Sequence, residues 1–138
     1  MSDTDSGNKI RFAPGDVIFQ QGEKGDAIYH IEKGTVEVYL GTAGAPSVLA
    51  EMGPGEFLGV MAIVTSSTRM ASARARTEVV CKKIPAEPFK QQVSQLPEWV
   101  RAVFKDYRAR LEYVDQLLHK QATELRSLKK KLDKTQEK

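Results

Sequence analysis

After Pro97 the sequence runs to its C-terminus without a glycine or a proline, and its apolar residues recur in two rows that each step seven positions. One row is Val100, Tyr107, Val114, Gln121 and Leu128; the other is Phe104, Leu111, Leu118, Leu125 and Leu132. Alternating steps of four and three place both rows on one stripe of a helix, and the seven-residue repeat is that of a coiled coil. Nine of these ten positions are apolar or aromatic. The exception, Gln121, is the kind of lone polar seam residue that fixes register and partner number at some cost in stability. A helix of almost 40 residues extends about 55–60 Å, more than a small β domain is wide. Its distal half is therefore expected to have nothing in its own domain to pack on. The sequence predicts a long helix over residues 97–138 that forms a homodimer through residues 100–132.

Upstream the period changes. From Lys9 to about Pro85 short runs rich in β-branched and aromatic residues (Val17 to Phe19, Ala27 to Ile31, Thr35 to Leu40, Val48 to Met52, Thr77 to Ile84) alternate with turn signals. The turns are Pro14-Gly15-Asp16, Gly22, Lys24-Gly25-Asp26, Lys33-Gly34, Gly41 to Pro46, and Gly53-Pro54-Gly55. In Thr35 to Leu40, the residues Val36, Val38 and Leu40 fall on one face, with Glu37 and Tyr39 on the other, as in a half-buried strand. Strands at this spacing predict an antiparallel roll or barrel. A short helix is expected near Pro88 to Gln95, which closes a domain over residues 9–96. The polar residues 1–8 read as a disordered lead-in.

With 138 residues the chain suits one such domain plus its helix. The single cysteine, Cys81, excludes an internal disulfide. No apolar run approaches a membrane span, and the N-terminus lacks the layout of a signal peptide, so the expected location is the cytoplasm. Seven Lys or Arg against three acids lie between Lys120 and Lys138; with +3 for the whole chain, that leaves −1 for the first 119 residues. The basicity is a property of the tail, where a solvated helix end with Lys favoured by the macrodipole accounts for it.

One segment carries the parts of an anion site. Gly55 to Val64 is a glycine-punctuated loop that enters a short apolar stretch, Thr65 to Thr68 interrupt it, and Arg69 to Ala73 return to extended structure. Glycine lets backbone approach a phosphate, a helix start offers free N–H groups, and an arginine supplies a two-pronged donor. Written out, Phe57-Leu58-Gly59-Val60-Met61-Ala62 followed by Arg69-Met70-Ala71-Ser72-Ala73 resembles the phosphate-binding cassette of the cyclic nucleotide-binding domain family. That family includes the regulatory subunits of cyclic-AMP-dependent kinase, cyclic nucleotide-gated channels and the catabolite-activator group. Phe12, Pro14-Gly15-Asp16, Ile18-Phe19, Gly22, Gly25-Asp26, Tyr29, Ile31, Gly34 and Val36 match the family's turn and core positions.

The resemblance implies a mainly β fold, an eight-stranded antiparallel roll flanked by helices, and a ligand that is cyclic AMP or cyclic GMP. By position it implies Arg69 on the cyclic phosphate, with backbone amides near Met61, Ala62 and Ala71 and the Ser72 hydroxyl beside it. Gly59, Val60 and Met70 complete the expected site. The family's acidic partner of the ribose 2′-hydroxyl would stand at position 60, where this chain has Val60. A hydrogen bond to a charged group is worth about 1.5–3 kcal/mol, so its loss weakens a cyclic mononucleotide roughly 10–100-fold. Three outcomes follow: a cyclic mononucleotide bound with altered affinity, another anion such as a cyclic dinucleotide, or a vestigial pocket in a scaffolding protein that works by assembly.

Other residues read more plainly. Cys81 lies among strand residues with no activating neighbour in sequence, and His30 and His119 are isolated. One cysteine cannot hold a four-thiolate cluster, and nothing suggests a metal site or a catalytic constellation. Arg74 and Arg76 read as surface charge of a strand. Trp99, Tyr107 or Tyr113 on the long helix could cover a base, as helical residues do in the family. The chain shows no helix-turn-helix after its long helix, so sequence-specific DNA binding is not expected. A downstream protein partner is expected, its identity unspecified.

Overall fold

The computed structural model describes residues 8–136, so the expected lead-in falls outside the described residues apart from Asn8. Eight strands form two four-stranded antiparallel sheets. The first, ordered β1-β8-β3-β6, contains β1 (Lys9–Phe12), β3 (Ala27–Lys33), β6 (Phe57–Leu58) and β8 (Val79–Pro85). The second, ordered β2-β7-β4-β5, contains β2 (Val17–Phe19), β4 (Val36–Thr42), β5 (Ala45–Met52) and β7 (Ser72–Ala75). Three helices complete the chain: α1 (Val60–Val64), α2 (Ala86–Ser94) and α3 (Glu98–Gln136). This is the eight-stranded roll with flanking helices and a long C-terminal helix that the sequence predicts.

The core lies between the sheets. Tyr29, Ile31, Val36, Leu58, Ala73, Ala75, Val79 and Cys81 are buried in one cluster, which joins inward residues of β3, β4, β6, β7 and β8. A second cluster of Ile28, Ile63 and Ala86 lies behind the first sheet. Strand β3 is thus covered on both faces, which is why Ala27, Ile28 and Tyr29 are buried in succession rather than alternately. Gly25 makes this second layer possible: a Cβ there would stand 2.9 Å from both Ala62 Cβ and Ile63 Cδ1, so α1 seats directly on the backbone.

Several expectations need correction. In β4 the register against β5 shifts between Val38 and Tyr39. Tyr39 and Leu40 are consequently both buried, and the simple alternation ends there. Tyr39 also lies under the Arg74 guanidinium, 5.1 Å from ring centroid to Cζ, and Arg74 pairs with Glu37 at 3.2 Å. Arg74 is therefore a packing residue of the outer sheet face, whereas Arg76 is exposed and paired with Glu51. The span Gly41 to Pro46, read as a turn, is mostly hairpin: Gly41 pairs with Pro46 and Thr42 with Ala45.

A further correction concerns α3. It does not leave its own domain halfway but runs along β4 and β5 of the second sheet. Ser47 Oγ and His119 Nδ1 are 2.7 Å apart, and Arg126 donates to the Pro46 carbonyl. The stripe that faces the roll (Arg101, Phe104, Arg108, Asp115, His119, Ala122, Arg126) is largely polar, and its residues are buried or half-buried. The heptad rows lie about a quarter-turn round the helix at 100° per residue. There Tyr107, Val114, Leu118, Leu125, Leu128 and Leu132 are exposed. Leu111 belongs to that seam and also reaches the cleft described next.

Candidate functional site

Leu58 ends β6 in the core, and the chain then turns sharply at Gly59, which has φ +84° and caps α1 without a side chain. A left-handed backbone here favours glycine, but space demands it too: a Cβ at Gly59 would overlap the Arg69 guanidinium. The four apolar residues after Val60 turn inward, and Ala62, Ile63 and Val64 are buried. The first N–H groups of so short a helix have no intrahelical acceptor.

Arg69 returns beneath this turn. It is 3% exposed. Its Nη1 donates to the Gly59 carbonyl at 2.9 Å and its Nη2 to the Ala27 carbonyl at 2.8 Å. The guanidinium lies 4.2 Å above the Phe19 ring, a cation–π contact in a desolvated setting. Asp26 approaches Nη2 at 3.7 Å, but its carboxylate is mostly exposed and gives little energy. Burial lowers the Arg69 pKa, opposed by the neighbouring Tyr29 and Asp26, and burial likewise raises that of Tyr29. A guanidinium so placed stays charged. Its Nε is buried and, among the described residues, has no partner. Such an orphaned charged donor costs about 1–3 kcal/mol or more and marks a place where an acceptor is wanted.

A cleft of about 310 Å³ opens above these residues. Of the residues picked out in the sequence, it gathers Gly59, Val60, Met61, Ala62, Arg69, Met70 and Ala71. Ser72 is not among its walls. Ala73 and Ala75 point into the core, so the strand alternation turns Ser72 the other way, where its buried hydroxyl accepts the Gln21 N–H at 2.9 Å. The remaining walls are Phe19, Val38, Met52, Phe57 and Leu58, with Leu111 and Asp115 as a roof from α3. All three methionines after Met1 line the cleft, giving it polarisable, adaptable walls. Trp99, Tyr107 and Tyr113 are exposed and do not cover it. His30 stacks on Phe57 at its rim, ring centroids 4.4 Å apart. Cys81 is buried and its thiol is pushed up to about 11, mainly by burial, so it is inert as a nucleophile.

Sequence reading missed Asp115 and Arg108. Arg108, 8% exposed, ties α3 to the segment between α1 and Arg69. It donates from Nη1 to Thr65 Oγ1 at 3.2 Å, from Nη2 to the Thr68 carbonyl at 2.7 Å, and from Nε to Glu112 at 3.1 Å. The signal for both lay in a second seven-residue row, Arg101, Arg108, Asp115 and Ala122, which runs beside the apolar seam.

Burial, and secondarily Glu112, raise the Asp115 carboxyl above the usual aspartate range. An acid held above its unfolded value destabilises the fold once ionised in both states, and this penalty vanishes below about pH 4. Asp115→Asn is therefore expected to raise the melting temperature slightly at pH 7. Scanning calorimetry should show that gain shrinking to nothing as pH falls through the acid's range.

The sequence profile described as "Cyclic nucleotide-binding domain" matches residues 9–95. The cAMP-dependent protein kinase regulatory subunit of Emericella nidulans is 30% identical over 97 residues, covering 70% of this chain and 23% of that protein. The EAL enzyme Bd1971 in its cGMP-bound form superposes with a TM-score of 0.70 at 30% identity, over 75% of this chain and 28% of that one. Its form bound to cAMP and cyclic-di-GMP gives 0.71 at 26% identity, over 92% of this chain and 33% of that one. The chain thus spans a third or less of each of these relatives, and the part matched is the nucleotide-binding domain rather than the enzyme's catalytic unit.

Proposed function

Because the chain belongs to the cyclic nucleotide-binding domain family, we propose that it is a non-catalytic cyclic nucleotide sensor that signals through a coiled-coil homodimer. The observation that carries this reading is Arg69: a buried guanidinium under the Gly59 turn with its Nε unpartnered. In this reading the cyclic phosphate of cyclic AMP or cyclic GMP lies over Arg69 and the first amides of α1, and the base meets the thioether walls. The roof connects binding to assembly. Leu111 lines the cleft and stands in the exposed seam, while Arg108 fixes α3 to the loop that precedes Arg69. A ligand that favours one placement of α3 shifts the seam with it, provided its affinity differs between the two placements. Among the described residues no helix is long and apolar enough to cross a membrane. A cytoplasmic location and a downstream protein partner belong to the same proposal.

Calorimetric titration with cyclic AMP and cyclic GMP tests this; no heat up to millimolar ligand would overturn it. Val60 lines the cleft with no acid beside it in α1. Val60→Glu is expected to tighten binding by about 10–100-fold, the equivalent of one charged hydrogen bond to the ribose. An unchanged dissociation constant would mean that the sugar is not turned towards α1.

A further inference from the structure

Behind the cassette, on the side of α1 away from the cleft, lies another cavity. Its walls are the end of α1 and its loop (Ile63 to Ser66), α2 (Lys90, Val93, Ser94) and the first turns of α3 (Glu98, Arg101, Ala102, Lys105), enclosing about 280 Å³. It adjoins a second recess, shaped by Lys24, Gly25, Ser66, Ser67, Thr68 and Lys90, through the shared Ser66 and Lys90. Four cations therefore converge on one loop of hydroxyl-bearing residues, against a single carboxylate, Glu98.

These cations contrast with most of those on the roll itself, although among the described residues the distal half of α3 also carries lysines without an ion pair. Lys9, Arg11, Lys33, Arg74, Arg76, Arg108 and Arg110 each face a carboxylate within 4 Å. Among the described residues, Lys24, Lys90, Arg101 and Lys105 have no ion-pair partner, and Arg101 Nε is buried without any hydrogen-bond acceptor. Leaving like charges gathered in a concave site costs repulsion, and low-dielectric walls focus the resulting field on whatever anion enters. The roof-and-floor arrangement of helices suits a compact anion better than a polymer, which needs a groove open along its length.

We propose that this cavity is a second anion site, distinct from the cyclic nucleotide cleft, which takes the di- or triphosphate group of a small metabolite. Arg101 provides the forked donor, Lys90, Lys105 and Lys24 the point charges, and the Ser66 and Ser67 hydroxyls the neutral donors. The loop it grips, residues 65–68, runs directly into Arg69 and is the same loop that Arg108 holds. An anion there couples to the cleft in front, and the coupling is reciprocal.

Titration of the full chain with tripolyphosphate at about 150 mM salt, where diffuse attraction is screened, provides the test. The expected result is saturable one-to-one binding that Arg101→Gln/Lys105→Gln weakens at least tenfold. Lys120→Gln/Lys129→Gln, which removes equal charge from the distal part of α3, should leave it unchanged, and Arg69→Gln, which acts only through the shared loop, should weaken it less than the Arg101/Lys105 pair does. The proposal is overturned if binding does not saturate, if both charge-removing pairs weaken it equally, or if Arg69→Gln alone abolishes it.

Discussion

Arg69→Gln is expected to lower the affinity for a cyclic nucleotide by at least about 100-fold, the loss of two charge-assisted hydrogen bonds at roughly 1.5–3 kcal/mol each. Glutamine keeps some bulk and one amide donor but neither the charge nor the fork. The same substitution releases the Gly59 and Ala27 carbonyls from their guanidinium donors, so it also acts on the free protein. Stranding buried acceptors costs about 1–3 kcal/mol, while removal of a desolvated charge returns part of that. A urea midpoint measured beside the titration separates the two effects: a small shift of midpoint with a large loss of binding is the expected pair. Arg69→Lys keeps the charge and loses the fork, and is expected to fall between. Binding that survives Arg69→Gln would remove the guanidinium from the phosphate site altogether.

The other large effect lies on α3. Leu118→Lys/Leu125→Lys is expected to dissociate the proposed homodimer, measured by sedimentation equilibrium across micromolar concentrations. Both leucines stand in the seam and are exposed in the single chain. Burying a leucine fully is worth about 1.5–3 kcal/mol, and a dimer buries two copies of each. Replacing all four with like charges should raise the dissociation constant by at least about 1,000-fold. Gln121→Leu is expected to act oppositely, with a tighter but less register-specific assembly. A wild-type chain that sediments as a monomer at 100-fold above micromolar concentration, or a dimer indifferent to both lysines, would deny the seam its role.

What was legible in the sequence divides along physical lines. The roll was legible because β-branched runs and glycine turns are local signals, and so was the meeting of Gly59 with Arg69, whose spacing matches the motif. The path of α3 was not. Hydrophobic periodicity detects one apolar stripe, and the stripe of α3 that faces the roll is largely polar, with Arg108 fastened by hydrogen bonds to the loop after α1 and His119 and Arg126 to β5. Tyr39 was misplaced for a related reason: the shift of register at Val38 and the neighbouring Arg74 are tertiary facts with no local signature. Ser72 was the subtlest. It occupies the expected position, and only its place in the alternation of β7 shows that its hydroxyl serves Gln21 instead of the cleft.

The two sides of α3 obey different solution physics. Added salt screens the charged contacts that fasten the helix to the roll, whereas a strongly hydrated salt such as sulfate strengthens apolar burial along the seam. If two chains meet along the seam as proposed, ionic composition acts on the two sides in opposite senses, loosening the helix from its own sheet while tightening its hold on a second chain. The medium itself would then be an input to this protein, read through the two sides of a single helix.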